Sequence, residues 1–313
     1  MTRFQQTIVA WSRLSRLPFL SVGLLPLILG FALAWRRGYE GALGLYLLSI
    51  IVTLLIMLMT YYLGERNDLE GDRINRNFNP YSGGSRVLVH GSLPVRVPLF
   101  LGYGCLAAAV FGGLILFLHY RTGIWTLVLE GVGILSGLTY SGKPFRWAYR
   151  GMGEILIGLC YGWLPIATGF YLLAGFFDTL TLLLSIPVGI SIFNVVLINE
   201  FPDEEADRAV GKRNLVVLHG KEKMADLYIG LSVLTGLSLL KVISLIQGTP
   251  SWVYWLSGIP LILLLWNIIR VWQGSYWDSR GLEVLCRNTL FINLGITLIL
   301  TLQQTLAFYD AGR

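Results

Sequence analysis

Nine of the chain's 18 acidic residues lie in two eight-residue windows, and each window closes a long apolar run. The first, Glu65-Arg-Asn-Asp-Leu-Glu-Gly-Asp72, follows a run ending Leu58-Met-Thr-Tyr-Tyr-Leu63. The second, Glu200-Phe-Pro-Asp-Glu-Glu-Ala-Asp207, follows Ile190-Ser-Ile-Phe-Asn-Val-Val-Leu-Ile-Asn199. Carboxylate beside hydrocarbon is costly unless protons, basic groups or metal ions neutralise it. Asp68 and Asp72 are four residues apart, as are Asp203 and Asp207. If each helix continues past its apolar run, each pair occupies one helical face. Asn67 and Asn199 precede the pairs and can add amide oxygens. Hard oxygen ligands of this kind suit Mg²⁺, which enters proteins through a few carboxylates plus a substrate phosphate. Two such clusters facing one another predict a metal site that bridges a diphosphate, with Asp68, Asp72, Asp203 and Asp207 as ligands.

Basic residues follow each cluster. Tyr81-Ser-Gly-Gly-Ser-Arg86 comes after the first, and Gly83 and Gly84 let backbone N–H groups turn toward an anion. Arg208 and Gly211-Lys-Arg-Asn214 come after the second, and a third connection carries Tyr140-Ser-Gly-Lys-Pro-Phe-Arg146. Arg86, Lys143, Arg146 and Lys212 are candidate phosphate contacts because each lies beside Gly, Tyr or Pro turn chemistry. Topology alone accounts for Arg73, Arg76, Arg96, Arg150, Lys221 and Lys223.

The elements that must carry these residues are membrane helices. Hydrophobic residues make up 55% of the 313 and charged residues 13%, with a mean hydropathy of +0.65. That is roughly half the charge of a soluble domain. Apolar runs long enough to cross about 30 Å of hydrocarbon recur along the chain. They predict nine spans, at about 18–37, 42–63, 98–118, 122–140, 152–174, 180–199, 226–247, 252–272 and 286–307. The runs are continuous rather than alternating, which favours helices over a β-barrel. Of the 24 Lys and Arg residues, 19 fall on the side holding the N-terminus and both acidic windows. The positive-inside rule makes that side cytoplasmic and leaves the C-terminus outside. The same bias explains the net charge of +6 without nucleic acid, for which no basic soluble module exists.

The predicted fold is therefore all-α: a polytopic transmembrane bundle of nine helices forming a single domain over 1–313. Residues of about 1–17, with Arg3, Arg13 and Arg16, read as an interfacial helix rather than a cleaved signal. The two long connections, about 64–97 and 200–225, form cytoplasmic cap loops over a cavity. Asp68 and Asp203 are 135 residues apart, close to four helices plus loops, which suggests two similar halves. Cys105, Cys160 and Cys286 are packing residues, and the three His residues have no metal-ligand spacing. Glu130 falls about six residues, roughly 9 Å of helix, inside the fourth span; an acid there is a functional candidate, but a hydrogen-bonded packing role or a misplaced span end is expected instead. Asn194, Asn267 and Asn293 are expected to bond between helices.

Asn67-Asp68…Asp72, Tyr140-Ser-Gly-Lys143-Pro-Phe-Arg146 and Asn199-x-x-x-Asp203-x-x-x-Asp207-Arg-x-x-Gly-Lys212-Arg together resemble the UbiA-type intramembrane aromatic prenyltransferases. The string from Asn199 to Leu215 is highly specific for that family, and the resemblance covers nearly the whole chain. It implies a Mg²⁺-dependent enzyme moving a polyprenyl group from its diphosphate to an aromatic acceptor at the membrane, with no obligate protein partner evident. Among substrate-binding residues it implies Asn67, Arg86, Tyr140, Lys143, Arg146, Asn199 and Lys212. Arg150-Gly-Met-Gly-Glu154, with the tyrosine-to-arginine segment before it, leans toward the dihydroxynaphthoate (menaquinone-pathway) branch. The chain departs from the family's first motif, N-D-x-x-D with a further Asp four residues on. Gly71 takes the second Asp position, Asn75 the third, and Asp72 is shifted by one. Either Asp72 and Glu70 substitute with altered geometry, or the first cluster binds metal less tightly. The implied chemistry is ionisation, with an allylic cation held against aromatic walls for which Tyr61, Tyr62, Tyr140, Trp163 and Phe193 are candidates. A transporter reading is weaker, because transporters place ion ligands near the bilayer midplane rather than at helix ends. A terpene cyclase on the same fold is the remaining alternative.

Overall fold

The computed structural model describes residues 3–311, with side chains from 8 to 306. Residues 1 and 2 of the predicted interfacial segment, and 312 and 313 at the other end, lie outside the described residues. Every regular element described is helical. In chain order, α1 (Arg3–Leu14) precedes α2 (Leu17–Arg36) and α3 (Leu43–Asn67). A six-residue α4 (Leu69–Ile74) opens the first long connection, followed by α5 (Arg96–Leu118) and α6 (Trp125–Ser141). The next rod is α7 (Gly153–Ile157) and α8 (Leu164–Ala174), joined by a π-helical stretch over Gly158–Trp163. Then come α9 (Thr179–Asn199), the short α10 (Glu204–Ala209) and α11 (Leu215–His219), and finally α12 (Lys221–Leu245), α13 (Ser251–Trp272) and α14 (Ser279–Ala311).

Eight of these rods are long and apolar enough to cross a membrane: α2, α3, α5, the α7–α8 rod, α9, α12, α13 and α14. The 17-residue α6 occupies the stretch where the sequence predicts the fourth of nine spans. Helices α12 and α14 begin earlier than the apolar runs predict, because their polar first turns are also helical. Pro165 explains the interruption of the α7–α8 rod, since its missing N–H leaves carbonyls one turn back without their usual donor.

Lipid offers apolar side chains no incentive to leave it, so the helices associate through close packing and interhelical hydrogen bonds. Gly30 on α2 and Gly169 on α8 bring their backbones together, and a Cβ on either would strike the other helix's main chain. At the π-helical stretch, a Cβ on Gly162 would come within 2.6 Å of the Gly189 Cα on α9. Leu29, Leu33, Ile166, Phe170, Leu184 and Val188 fill the space around these crossings. The expected asparagine bonds form: Asn194 donates to the Ser232 Oγ (3.1 Å), Asn267 to the Tyr228 Oη (2.9 Å) and Asn293 to the Ser191 Oγ (2.9 Å). They tie α9 to α12, α13 to α12, and α14 to α9. The α9 tip that carries the second acidic window is therefore the end of a closely packed rod.

The crossings generate a stability prediction. Gly162→Leu forces the π-helical stretch away from α9 and lowers stability by about 1–3 kcal/mol, read as a reduced unfolding temperature in detergent. Gly104→Ala, at a helical site with nothing within 4 Å of the added carbon, leaves it unchanged or slightly raised. Equal behaviour of the two variants rules out this account of the packing.

Candidate active site

Between the tips of α3 and α9 lies a chamber of about 1310 Å³, partly open to solvent. Neither helix runs straight on past its last apolar turn, as the four-residue spacing alone would have it. Helix α3 stops at Asn67 and α9 at Asn199, and each aspartate pair starts a separate six-residue helix. Pro202, which disfavours helix at the residue before it, accounts for the second break. Helical spacing survives locally, since the Asp72 and Asp207 N–H groups donate to the Asp68 and Asp203 carbonyls (3.0 and 2.8 Å). Each pair thus keeps one face, and all four aspartates line the same chamber.

Three of the four carboxylates are held by donors from other positions in the chain. Asp68 accepts from the Ser141 Oγ (2.9 Å) and the Tyr149 Oη (3.1 Å). Asp203 accepts from the Asn75 Nδ2 (2.7 Å) and the Gly83 N–H (3.2 Å). Asp207 accepts from the Asn214 Nδ2 (2.8 Å) and pairs with the Lys212 Nζ (3.2 Å). Asn214 also caps α11 through its other side-chain atom, which fixes the donor's direction. Gly83 and Gly84 both have positive φ (+72° and +70°), a conformation glycine adopts freely. At Gly84 there is a second requirement, because any Cβ would collide with the Asp72 carboxylate. Of the two glycine N–H groups, that of Gly83 turns toward an anion, and that anion is the Asp203 carboxylate.

Six carboxylates line the chamber (Glu65, Asp68, Asp72, Glu200, Asp203 and Asp207) against two basic residues, Arg16 and Lys212. Burial, then the charges of Glu65 and Asp68, push the Asp72 carboxyl up to about 7. Burial and Asp207 push Asp203 up to about 6. Burial also raises Asp207, with Lys212 opposing it. Burial alone would lower the Lys212 ammonium, but Asp207, Asp68 and Asp203 around it hold it well above its ordinary value. Burial and the neighbouring Glu154 push Glu200 well up. The chamber therefore carries more acid than its own bases neutralise.

The predicted site residues divide in two. Tyr140, Asn199 and Lys212 line the chamber with the four aspartates. The Asn199 Oδ1 is buried with no partner among the described residues. Asn67, Arg86, Lys143 and Arg146 are not brought to its wall. Asn67 and Lys143 are exposed. Arg86 instead donates to the Asp72 backbone carbonyl and lies over the Phe78 ring, 4.2 Å from its centre. Arg146 covers the Tyr149 ring at 3.4 Å and so backs the residue that donates to Asp68. Glu70 is exposed, which leaves Asp72 as the acid replacing the displaced motif position. Of the aromatic candidates, Tyr61 and Tyr140 line the chamber, while Tyr62, Trp163 and Phe193 pack elsewhere.

Sequence reasoning missed several partners. Glu65 is buried and accepts from the Ser85 N–H (2.8 Å), the Ser85 Oγ (2.7 Å) and the Arg16 Nε (3.2 Å). Glu154 is fully buried and accepts from the Leu215 N–H (2.7 Å). Tyr149, Ser141 and Tyr161 also had no signal beyond their types, and Asn75 was marked only as a departure from the family's first motif. Among the described residues, no three acidic, His or Cys side chains converge closely enough to hold a metal ion alone. The donor set is nevertheless all hard oxygen with surplus negative charge, and it fits Mg²⁺ that completes its shell with substrate phosphate and water.

The chain resembles known proteins in sequence and in fold. The UbiA prenyltransferase family profile matches residues 23–285. The 1,4-dihydroxy-2-naphthoate octaprenyltransferase of Escherichia coli (strain K12) is 26% identical over 304 residues, covering 94% of this chain and 96% of that one. The 2-carboxy-1,4-naphthoquinone phytyltransferase of Synechocystis is 31% identical over 176 residues, 56% of this chain and 55% of the relative. The 1,4-dihydroxy-2-naphthoate octaprenyltransferase of Bacillus subtilis is 28% identical, over 68% of this chain and 66% of its own length. The chain thus spans between half and two thirds of the last two relatives. In fold, it is similar to a UbiA homolog from Aeropyrum pernix K1, with a TM-score of 0.68 over 94% of this chain and 98% of that one at 16% identity. It is also similar to a UbiA homolog from Archaeoglobus fulgidus bound to GPP and Mg²⁺, with a TM-score of 0.64 over 92% and 99% at 16% identity. With a family match that runs from α2 into α14 and encloses both aspartate windows, the chain belongs to the UbiA prenyltransferase family.

Proposed function

We propose that the chain transfers a polyprenyl group from polyprenyl diphosphate to an aromatic quinone precursor, of the dihydroxynaphthoate class, within the membrane. The observation that carries this reading is the convergence of four aspartates from two distant segments on one chamber, which opens inward to apolar space. The relatives named for naphthoate prenyl transfer support the acceptor class. In this reading α6 is the ninth span, the two long connections cap the chamber, and both face the cytoplasm, as the Lys and Arg distribution supports.

Asp68, Asp72, Asp203 and Asp207 would hold Mg²⁺. When bound, Mg²⁺ supplies positive charge to the oxygens of the departing diphosphate. The chain's own residues do the rest. Lys212, held charged by three aspartates, adds a fixed cation for the diphosphate. Asn75, Gly83, Ser141, Tyr149 and Asn214 orient the carboxylates, so little reorganisation is needed as charge develops. The bond from the allylic carbon to the diphosphate oxygen breaks, and its electron pair leaves with the diphosphate. Tyr61, Tyr140 and Tyr161 line the chamber on its apolar side, where their ring faces favour the allylic cation and help exclude water. A ring carbon of the acceptor then forms the new carbon–carbon bond and the ring loses a proton.

Two outcomes test this. Asp203→Ala and Asp207→Ala each lower Mg²⁺-dependent diphosphate release and prenylated product by about a thousandfold or more, the scale of losing a main electrostatic contributor. Product is identified by mass, and both variants remain folded in the membrane. Full activity in both removes the reading, and a transporter releases no diphosphate in the first place. The second outcome concerns pH. Asp72 and Asp203 bind protons more tightly when folded than unfolded, so without metal the fold loses stability as pH rises through about 6 to 7. In EDTA the unfolding temperature falls from pH 5 to pH 8, and Mg²⁺ restores more of it at pH 8 than at pH 5. A flat profile in EDTA, or equal restoration at both pH values, contradicts the proposed metal site.

A further inference from the structure

Thr60, Tyr140, Ile157 and Tyr161 line not only the aspartate chamber but also a second cavity of about 920 Å³ deeper in the bundle. The two spaces adjoin at these four side chains, which form the neck between them. The inner cavity is walled by apolar, hydroxyl and thiol side chains with one exception, Glu130. Helix α6 provides one stripe of that wall through Tyr140, Gly137, Gly133, Glu130 and Thr126, at steps of three and four residues. Ten residues of helix, about 15 Å, separate Tyr140 at the neck from Glu130.

The Glu130 carboxyl sits in a notch on α5 where Gly113 lacks a side chain, and a Cβ there would collide with it. Its Oε1 is buried and has no hydrogen-bond partner among the described residues. The hydrogen-bonded packing role expected from the sequence is therefore not what this residue fills. An acid in an apolar cavity that bonds to nothing costs stability, and a structural role does not repay that cost.

We infer that Glu130 sets the length of the isoprenoid chain the inner cavity accepts. The inference rests on the prenyl-transfer reading. A donor anchored by its diphosphate at the aspartates must thread its tail through the neck and along the α6 stripe. An extended chain advances roughly 1.2 Å per bond, as follows from about 3.5 Å per three-bond residue. An isoprene unit adds four chain bonds, so about three units span the distance from the neck to Glu130. A longer tail must lie against the carboxyl, to which hydrocarbon offers no donor and from which it excludes water. Donors of three or four units are favoured over donors of eight.

The test uses the full chain in lipid nanodiscs with Mg²⁺, dihydroxynaphthoate, and prenyl diphosphates of three, four and eight units. The readout is the ratio of kcat/KM for the eight-unit donor to that for the three-unit donor, with products identified by mass. The unsubstituted protein favours the three-unit donor by about tenfold, and Glu130→Leu raises the eight-to-three ratio by about tenfold. Glu130→Gln, which keeps a polar group of the same shape, raises it by about threefold or less, and stands in should the leucine variant fail to fold. No length preference in the unsubstituted protein, or a ratio unmoved in a folded Glu130 variant, overturns the inference while leaving prenyl transfer intact. No product from any donor removes the function itself, and the inference with it.

Discussion

Everything at the functional end of this protein answers to one constraint: six carboxylates face a single chamber at the mouth of an apolar bundle. Two basic residues cannot balance them, and burial raises the proton affinity of those at the centre. The connections after α3, α6 and α9 are shaped by that problem. Those after α3 and α6 contribute donors to carboxylates carried on a different segment, Asn75 and Gly83 to Asp203, Ser141 and Tyr149 to Asp68, and the one after α9 holds its own Asp207 through Lys212 and Asn214. The loops are therefore not covers laid over a finished site. They supply the donors that make the concentration of acid tolerable.

That arrangement needs rods whose tips do not drift. Backbone contact at Gly30–Gly169 and Gly162–Gly189 sets the crossing of α2, the α7–α8 rod and α9. Three asparagines lock α9, α12, α13 and α14 to one another. A shift of about one ångström at such a tip is large compared with the tolerance of a preorganised polar site. The glycines that look like packing details in mid-membrane thus determine whether the aspartates meet at all.

The helices and the chemistry of the aspartate windows were legible in the sequence because both signals are local. Apolar runs announce helices, and paired acids at their ends announce a cation. What was not legible is contact between segments far apart in the chain. Arg86, Lys143 and Arg146 had the right type and neighbourhood for phosphate, yet two of the three hold other residues and Lys143 faces solvent. Glu65 and Asn214 were named only as members of their segments and Tyr149 not at all, because a buried acid, a loop amide or a loop hydroxyl has no spacing of its own to betray its partner. The breaks at Asn67 and Asn199 were missed for a similar reason. Regular i,i+4 spacing persists across them, although the axis does not.

The departure at Asn75 acquires a physical meaning from the same constraint. The position that carries a third aspartate in the family's pattern here carries an amide, and that amide donates to Asp203 at 2.7 Å. An aspartate at that distance would add a seventh carboxyl group, set against another carboxylate, which in a partly buried site is strongly unfavourable without metal between them. The amide removes one charge and gains one hydrogen bond, and its oxygen also accepts from the Asn77 N–H (2.9 Å), so its orientation is fixed. Gly71 acts in the same direction: the turn that would present a second acid to the chamber presents bare backbone instead, with only Val210 near it. The first window therefore contacts the second directly, through the Asn75 amide. In the proposed reading the two clusters would be joined through protein as well as through the cation between them, and the demand on that cation would be correspondingly smaller.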